Sequence, residues 1–115
     1  MGEWIRLADP EDCPPGYAVR FEIGNTLIAC FNVGGTYFIT DDTCSHAQAS
    51  LAEGDLDEDR CTIECPLHGS CFDLRSGNPL TLPATEPIAT YQVRADENGI
   101  YVLLETAMEQ QKWVP

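Results

Sequence analysis

Apolar and polar side chains alternate along several short segments of the chain, and this period of two predicts β-strands that bury one face. The clearest example is residues 18–23, where Val19, Phe21 and Ile23 fall on the same face. The final residues, 105–115, are expected to form a tail with one or two helical turns. The predicted strands cover residues 4–7, 18–23, 26–33, 36–40, 60–64, 72–74, 88–93 and 100–104.

The pattern changes between about residues 43 and 83, where the strands shorten and glycine, proline and acidic residues become more frequent. Many short strands on both sides of this segment predict an all-β sandwich or barrel. A chain of 115 residues has the usual length of one domain. We therefore expect a single domain over residues 1–115, an antiparallel β-sandwich base with a small inserted subdomain at about 43–83.

The net charge of the chain indicates which kinds of binding partner are plausible. The chain carries 19 acidic against 6 basic residues, a net charge of −13. This balance argues against binding to nucleic acid or to an anionic membrane surface, which both require lysine and arginine. A basic protein partner would suit it, although solubility alone also explains the charge. No apolar stretch is long enough to cross a membrane and no secretory signal is visible, so we expect a cytoplasmic protein.

Two short motifs in the insert carry the candidate chemistry, Cys44-Ser45-His46 and Cys65-Pro66-Leu67-His68. The chain has only two histidines, and both fall in these motifs. Each motif offers one thiolate and one imidazole. One zinc ion would accept such a set, and so would a two-iron cluster with both cysteines on one iron and both histidines on the other. The alternating order of cysteine and histidine favours the cluster, because each loop then donates to both irons.

These motifs, extended through Gly69-Ser70-Cys71-Phe72-Asp73 and the Ser76-Gly77 and Leu82-Pro83-Ala84 segments, resemble the Rieske family, above all the stand-alone ferredoxins of bacterial aromatic-ring dioxygenase systems. The resemblance implies one [2Fe–2S] cluster and a Rieske fold. It also implies a carrier of single electrons, not an enzyme, that links an NAD(P)H-dependent flavin reductase to a terminal oxygenase in aromatic hydrocarbon catabolism. A shuttle of this kind is expected to be a monomer. The implied cluster ligands are Cys44, His46, Cys65 and His68.

The chain departs from relatives of the resembled family in ways that bear on the redox potential. Ala49 and Leu67 stand where respiratory-type Rieske proteins carry two disulfide-forming cysteines, and Phe72 stands where those proteins have a tyrosine. Hydrogen bonds to the sulfurs raise the potential, and Phe72 offers none, so we predict a potential near the low end of the Rieske range, about −150 mV. The Ser70 hydroxyl is expected to reach the cluster. Leu67 and Pro83 are expected to shield it from water.

The segment between the two motifs, residues 47–64, is eighteen residues long and looks slightly longer than is usual in such ferredoxins. Within it, the seven residues 53–59, here called the acidic segment, contain five carboxylates. We interpret them by default as a solvated hairpin and as a sharper hypothesis as a docking patch. These carboxylates belong to Glu53, Asp55, Asp57, Glu58 and Asp59.

Four cysteines remain outside the implied ligand set. Cys30 and Cys61 occupy inward-facing positions of predicted strands and are expected to be small core residues. Cys13 is expected to be a free thiol in a loop, and Cys71 a structural neighbour of the ligands on the next strand. Two other functions stay open at this point. One is a small Rieske subunit of a reductase such as nitrite reductase, and the other is a structural zinc module.

Overall fold

The computed structural model describes residues 2–45, 48–67 and 69–104. Both histidines, His46 and His68, lie outside these ranges, as does the tail predicted over 105–115. Within the described ranges no helix is long and apolar enough to cross a membrane.

Ten strands and two short 3-10 turns make up the described part of the chain, which confirms the prediction of an all-β fold. The strands are β1 (Glu3–Ala8), β2 (Ala18–Ile23), β3 (Thr26–Val33), β4 (Thr36–Asp41), β5 (Asp55–Asp57), β6 (Thr62–Glu64), β7 (Cys71–Asp73), β8 (Thr90–Tyr91), β9 (Val93–Asp96) and β10 (Gly99–Leu104). The 3-10 turns cover Pro10–Asp12 and Leu51–Glu53.

The strands form three antiparallel sheets. Two of them, ordered β1-β10-β9 and β2-β3-β4-β8, build the base, and the third, ordered β5-β6-β7, belongs to the insert between β4 and β8. The two sheets of the base share a buried apolar cluster, to which β10 contributes Ile100 and Val102 and β3 contributes Ile28 and Cys30. The base is therefore a sandwich, as predicted.

Strand β3 faces two cores at once because its side chains alternate between the two faces of its sheet. Ile28 and Cys30 point into the base sandwich. Ala29 and Phe31 belong to a second buried cluster, which also contains Phe72 of the insert. The insert is thus packed directly on the outer face of a base sheet, and this contact fixes where its loops lie.

The structure corrects the segment predicted as one strand over 88–93. The chain forms two strands that separate at Gln92, because β8 pairs with β4 while β9 pairs with β10. The backbone thus passes from one sheet of the base to the other at this residue. Hydrophobic alternation continues through the change of sheet, so the pattern alone does not reveal it.

Two further corrections concern the insert. Strand β5 was not expected, since its only apolar residue, Leu56, stands between two aspartates and gives no visible period. Cys61 was placed on a strand but lies in the turn before β6, with a φ of 59° in the left-handed region that non-glycine residues rarely adopt. Its predicted burial is nevertheless confirmed, because its side chain is 1% exposed within the second cluster.

Candidate metal centre

The first motif lies on a loop that begins directly after β4 and is closed by its own backbone. Thr43 and Ser50 form an isolated bridge across the base of the loop. Inside this bridge the N–H of Cys44 donates to the carbonyl oxygen of Ala49 over 3.0 Å. The loop is therefore a closed structure that fixes the backbone of Cys44, and its side chain is buried.

The second motif follows β6 and forms a tight loop that leads into β7. The Cys65 N–H donates to the Ser70 carbonyl oxygen over 2.8 Å, and the Cys65 carbonyl oxygen accepts the Gly69 N–H over 3.0 Å. Gly69 has a φ of +76°, a conformation that suits glycine, and this allows the return of the chain after the motif. The loop thus fixes Cys65, which is 1% exposed.

A third segment, residues 79–86, ties the two loops together. The Ser45 hydroxyl, next to Cys44, donates to the carbonyl oxygen of Glu86 over 2.6 Å. On the other side the Ala84 N–H donates to the Ser70 hydroxyl oxygen over 3.0 Å. Sequence reasoning missed the contact with Glu86, because a backbone carbonyl carries no signal in the sequence.

The outcome of these contacts is that Cys44 and Cys65 lie in one buried apolar cluster, although 21 positions separate them in the sequence. Buried thiols at the ends of two fixed loops form a donor set that suits a metal centre with soft ligands. His46 and His68 lie outside the described residues, and among the described side chains no group of three potential metal ligands occurs. The assignment of all four ligands therefore stays a prediction.

The residues predicted to surround the centre divide into buried and exposed ones. Ser70 and Phe72 are fully buried, and Phe72 packs in the same cluster as the two cysteines. Leu67 is 57% exposed, and Pro83 is exposed as well. Leu67 and Pro83 therefore lie at the surface beside the loops, and their shielding of a cluster stays a prediction.

The two positions that carry disulfide cysteines in respiratory-type Rieske proteins lie close together here. Ala49 and Leu67 line one groove of about 380 Å³ between the two ligand loops, together with Arg20 and Glu53. Neither side chain contains sulfur, so no cross-link joins the loops at this point. Within the described residues, the side-chain hydroxyls of Ser45 and Ser70 instead connect the loops to the chain at Glu86 and Ala84.

The other cysteines have distinct surroundings. Cys13 lies in a loop as expected, but it is fully buried against Cys30, and its thiol lies 3.5 Å from the carbonyl oxygen of Cys30. The pKa of Cys30 is raised above its ordinary value because its thiol shares a hydrogen bond with Cys13 and is buried. Burial likewise raises the pKa of the Cys61 thiol. Cys71 lies on β7, beyond the second loop, as predicted for a structural neighbour.

Four of the five carboxylates of the acidic segment line a groove of about 700 Å³ beside the small sheet, those of Asp55, Asp57, Glu58 and Asp59. Glu53 lines the groove between the two ligand loops. All five carboxylates are exposed, in agreement with a solvated hairpin. Two of them bind backbone: Glu58 accepts the N–H of Gly34 over 3.0 Å, and Asp57 accepts the N–H groups of Asp59 and Arg60 over 3.1 Å each. A docking role of this segment stays a prediction.

Comparison with known proteins identifies close relatives. The family model described as "Rieske [2Fe-2S] domain" matches residues 3–92. The 3-phenylpropionate/cinnamic acid dioxygenase ferredoxin subunit of Escherichia coli (strain K12) is 45% identical over 96 residues, which cover 84% of this chain and 89% of the relative.

Solved structures agree with this result. The ferredoxin of carbazole 1,9a-dioxygenase from Nocardioides aromaticivorans IC177 superimposes with a TM-score of 0.82 at 32% identity, over 86% of this chain and 95% of that one. A chain from a complex of reduced oxygenase and oxidized ferredoxin in carbazole 1,9a-dioxygenase gives a TM-score of 0.77 at 38% identity, over 86% of this chain and 91% of that one.

Proposed function

Because the chain belongs to the Rieske [2Fe–2S] domain family, we propose that Cys44, His46, Cys65 and His68 hold its cluster. When bound, a [2Fe–2S] cluster supplies one-electron redox chemistry, and Rieske centres bind it through two cysteines and two histidines. The observation that carries the proposal is the burial of Cys44 and Cys65 together at the ends of two fixed loops. The two histidines of the chain complete the donor set.

We infer that the chain acts as an electron carrier in an aromatic-ring dioxygenase system. It accepts single electrons from an NAD(P)H-dependent flavin reductase and passes them to a terminal oxygenase. The similarity to ferredoxin subunits of two dioxygenases supports this role, and one similar ferredoxin occurs in complex with an oxygenase. A carrier that meets two partners in turn suits a monomer in the cytoplasm.

The surroundings of the ligand loops support a potential near the low end of the Rieske range. No disulfide joins Ala49 and Leu67, and the buried ring of Phe72 has no hydroxyl to donate to a sulfur. Hydrogen bonds to the sulfurs stabilise the reduced cluster, and their loss lowers the potential. Of the serine and tyrosine hydroxyls that respiratory-type Rieske proteins carry after the second motif, this chain keeps the serine, Ser70.

Substitution of the ligands tests the cluster assignment. We expect Cys44→Ser and Cys65→Ser to lose the visible absorption of the cluster and the rhombic EPR signal of the reduced protein. Cys71→Ser is the matched control, because Cys71 lies just beyond the second loop and is proposed to be no ligand. A cluster that persists in either ligand variant, or that is lost in the control alone, would contradict the assignment.

Electron transfer is tested by stopped-flow mixing of the reduced protein with purified oxygenase components, including that of 3-phenylpropionate/cinnamic acid dioxygenase. We expect the reduced cluster to be reoxidised at a rate that rises with the oxygenase concentration. The ferredoxin subunit from Escherichia coli serves as the positive control for that oxygenase. A cluster-containing protein that reduces no dioxygenase component would contradict the role.

The comparisons give less support to the two other functions, a structural zinc module and a small subunit of nitrite reductase. Membership of the Rieske [2Fe–2S] family disfavours a structural zinc module, and a colourless, zinc-loaded protein would be needed to revive it. A small subunit of nitrite reductase is disfavoured because relatives at 45% identity over most of the chain are ferredoxin subunits of a dioxygenase. Electron transfer to an aromatic-ring dioxygenase therefore remains the function that we propose.

A further inference from the structure

A buried acid lies at the entry to the first ligand loop. Asp42 follows β4, precedes Cys44 by two residues and has only 1% of its surface exposed. Acids are almost never buried to this extent unless their carboxylates are paired or hydrogen-bonded. The position of Asp42 therefore calls for compensating partners, and the structure provides several.

The carboxylate of Asp42 holds the far end of the loop. Its Oδ1 accepts the hydroxyl hydrogen of Ser50 over 2.9 Å and the backbone N–H of Ala52 over 3.0 Å. The backbone adds a third bond, since the carbonyl oxygen of Asp42 accepts the Leu51 N–H over 2.7 Å. Asp42 thus joins the start and the end of the loop that carries Cys44, in addition to the bridge between Thr43 and Ser50.

Among the described residues, one cation lies within ion-pair distance of the second carboxylate oxygen. Oδ2 of Asp42 lies 4.0 Å from Nη1 of Arg20, whose side chain is 52% exposed. Coulombic attraction at this distance is weakened by solvent around the guanidinium. Arg20 therefore neutralises the charge of the Asp42 carboxylate only in part.

We propose that Asp42 is a positioning residue for the cluster, one that holds the loop of Cys44 and lowers the reduction potential through its buried charge. This inference rests on the proposed role of Cys44 as a ligand. Reduction adds one electron, so a nearby negative charge disfavours the reduced state. Arg20 acts in the opposite direction, because its positive charge offsets that of Asp42.

The test uses the cluster-containing protein and two variants, one that removes a negative charge and one that removes a positive charge. Asp42→Asn keeps an oxygen that accepts both hydrogen bonds but removes the charge, and Arg20→Gln removes the cation. We expect Asp42→Asn to increase the equilibrium constant for reduction about threefold to tenfold, a rise of about 30 to 60 mV at 59 mV per tenfold for one electron. Arg20→Gln is expected to shift the midpoint downwards.

Ser50→Ala separates positioning from charge. It removes one hydrogen bond to Asp42 without changing any charge, so we expect faster loss of the visible absorption on incubation at 37 °C and an unchanged midpoint. The rhombic EPR signal of each variant reports whether the ligands are intact.

The outcomes distinguish this inference from the assignment of the ligands. If Asp42→Asn fails to bind the cluster, a lowered midpoint in Arg20→Gln still supports the inference, and an unchanged midpoint overturns it. An intact cluster in Asp42→Asn with an unchanged or lowered midpoint also overturns it. A cluster that survives Cys44→Ser would instead overturn the ligand assignment on which the inference depends.

Discussion

The hydroxyl oxygen of Ser70 accepts the backbone N–H of Ala84 over 3.0 Å, and both residues are buried. In this contact the serine acts as an acceptor, so its own hydrogen remains available for a sulfur of the cluster. The pair therefore connects the second ligand loop to the third segment, residues 79–86.

Substitution Ser70→Ala should lower the midpoint potential, because the hydrogen bond that we propose from Ser70 to a cluster sulfur would be lost. It should also lower the free energy of unfolding by about 1 to 3 kcal/mol, because the buried N–H of Ala84 loses its acceptor. Redox titration followed by circular dichroism measures the first effect, and urea unfolding measures the second.

Ser45→Ala is the matched control for Ser70→Ala. Its hydroxyl lies beside the other ligand loop, but its hydrogen is already donated to the carbonyl oxygen of Glu86. The control should therefore lose some stability and keep its midpoint. Equal midpoint shifts in the two variants would show that the effect of Ser70 does not come from a hydrogen bond to the cluster.

The acidic segment offers a test of docking by the reductase. Glu53, Asp55 and Asp59 are exposed, whereas Asp57 and Glu58 bind backbone N–H groups and should be left intact. Replacing these three exposed carboxylates by their amides should slow reduction by the flavin reductase several-fold at low ionic strength, and the difference should shrink as salt is added. Stopped-flow reduction at several salt concentrations measures it.

Three carboxylates of the base give a control with the same change in net charge. Glu3, Glu22 and Glu97 are also exposed, and all three lie in or beside strands of the two base sheets. If the amide variant of this set slows reduction as much as the variant of the acidic segment, net charge explains the effect and the segment is no docking patch.

Two glycines with a positive φ, Gly77 and Gly24, should differ in how much stability is lost when alanine replaces them. Gly77 has a φ of +81°, and a Cβ there would lie 2.2 Å from the carbonyl oxygen of Ile88. Gly24 has a φ of +62° and open space around it. Urea unfolding should show that Gly24→Ala lowers the free energy of unfolding by about 1 kcal/mol, because only the left-handed backbone is strained. Gly77→Ala should lower it by about 3 kcal/mol or more, because the new Cβ also clashes. Equal losses would indicate that the backbone at Gly77 moves freely to accept the side chain.

The cysteines should differ in their reaction with iodoacetamide. All six cysteines lie in the described part of the chain, and among them Cys71 alone is not buried. Cys13, Cys30 and Cys61 are buried, and the pKa values of Cys30 and Cys61 are raised. A raised pKa keeps the thiol protonated at neutral pH and therefore unreactive. Mass spectrometry of the folded, cluster-containing protein should show labelling at Cys71 first, and Cys71→Ser should remove it. Early labelling of Cys13 would contradict the buried position of its loop.

Local pattern was enough to predict much of the fold. Residues 18–23 and 26–33 form strands with the predicted bounds, because alternation and a following turn are properties of neighbouring residues. The two cysteine–histidine motifs were likewise recognisable from their spacing, and the family comparison agrees with the resemblance that they carry.

Other features depend on contacts between distant segments and could not be read in this way. The chain changes sheet at Gln92 because the residues before it pair with β4 and the residues after it pair with β10. Both partner strands are distant in the sequence or belong to another sheet, so local pattern does not reveal the change. Cys13 lies in a loop as predicted, but local pattern gave no sign that this loop is buried on β3, where the Asn32 side chain donates to the Cys13 carbonyl oxygen over 2.8 Å. The carboxylate of Asp42 was also unrecognised, because only the folded loop brings Ser50 and Ala52 to it.

Strand β3 supplies Ile28 and Cys30 to the interior of the base and Ala29 and Phe31 to the interior that surrounds Cys44 and Cys65. The two interiors therefore share one backbone segment, and neither can come apart without disturbing the other. We expect the bleaching of the visible chromophore and the loss of the far-ultraviolet β signal to follow one denaturation curve. A carrier built in this way would retain its colour for as long as its framework holds.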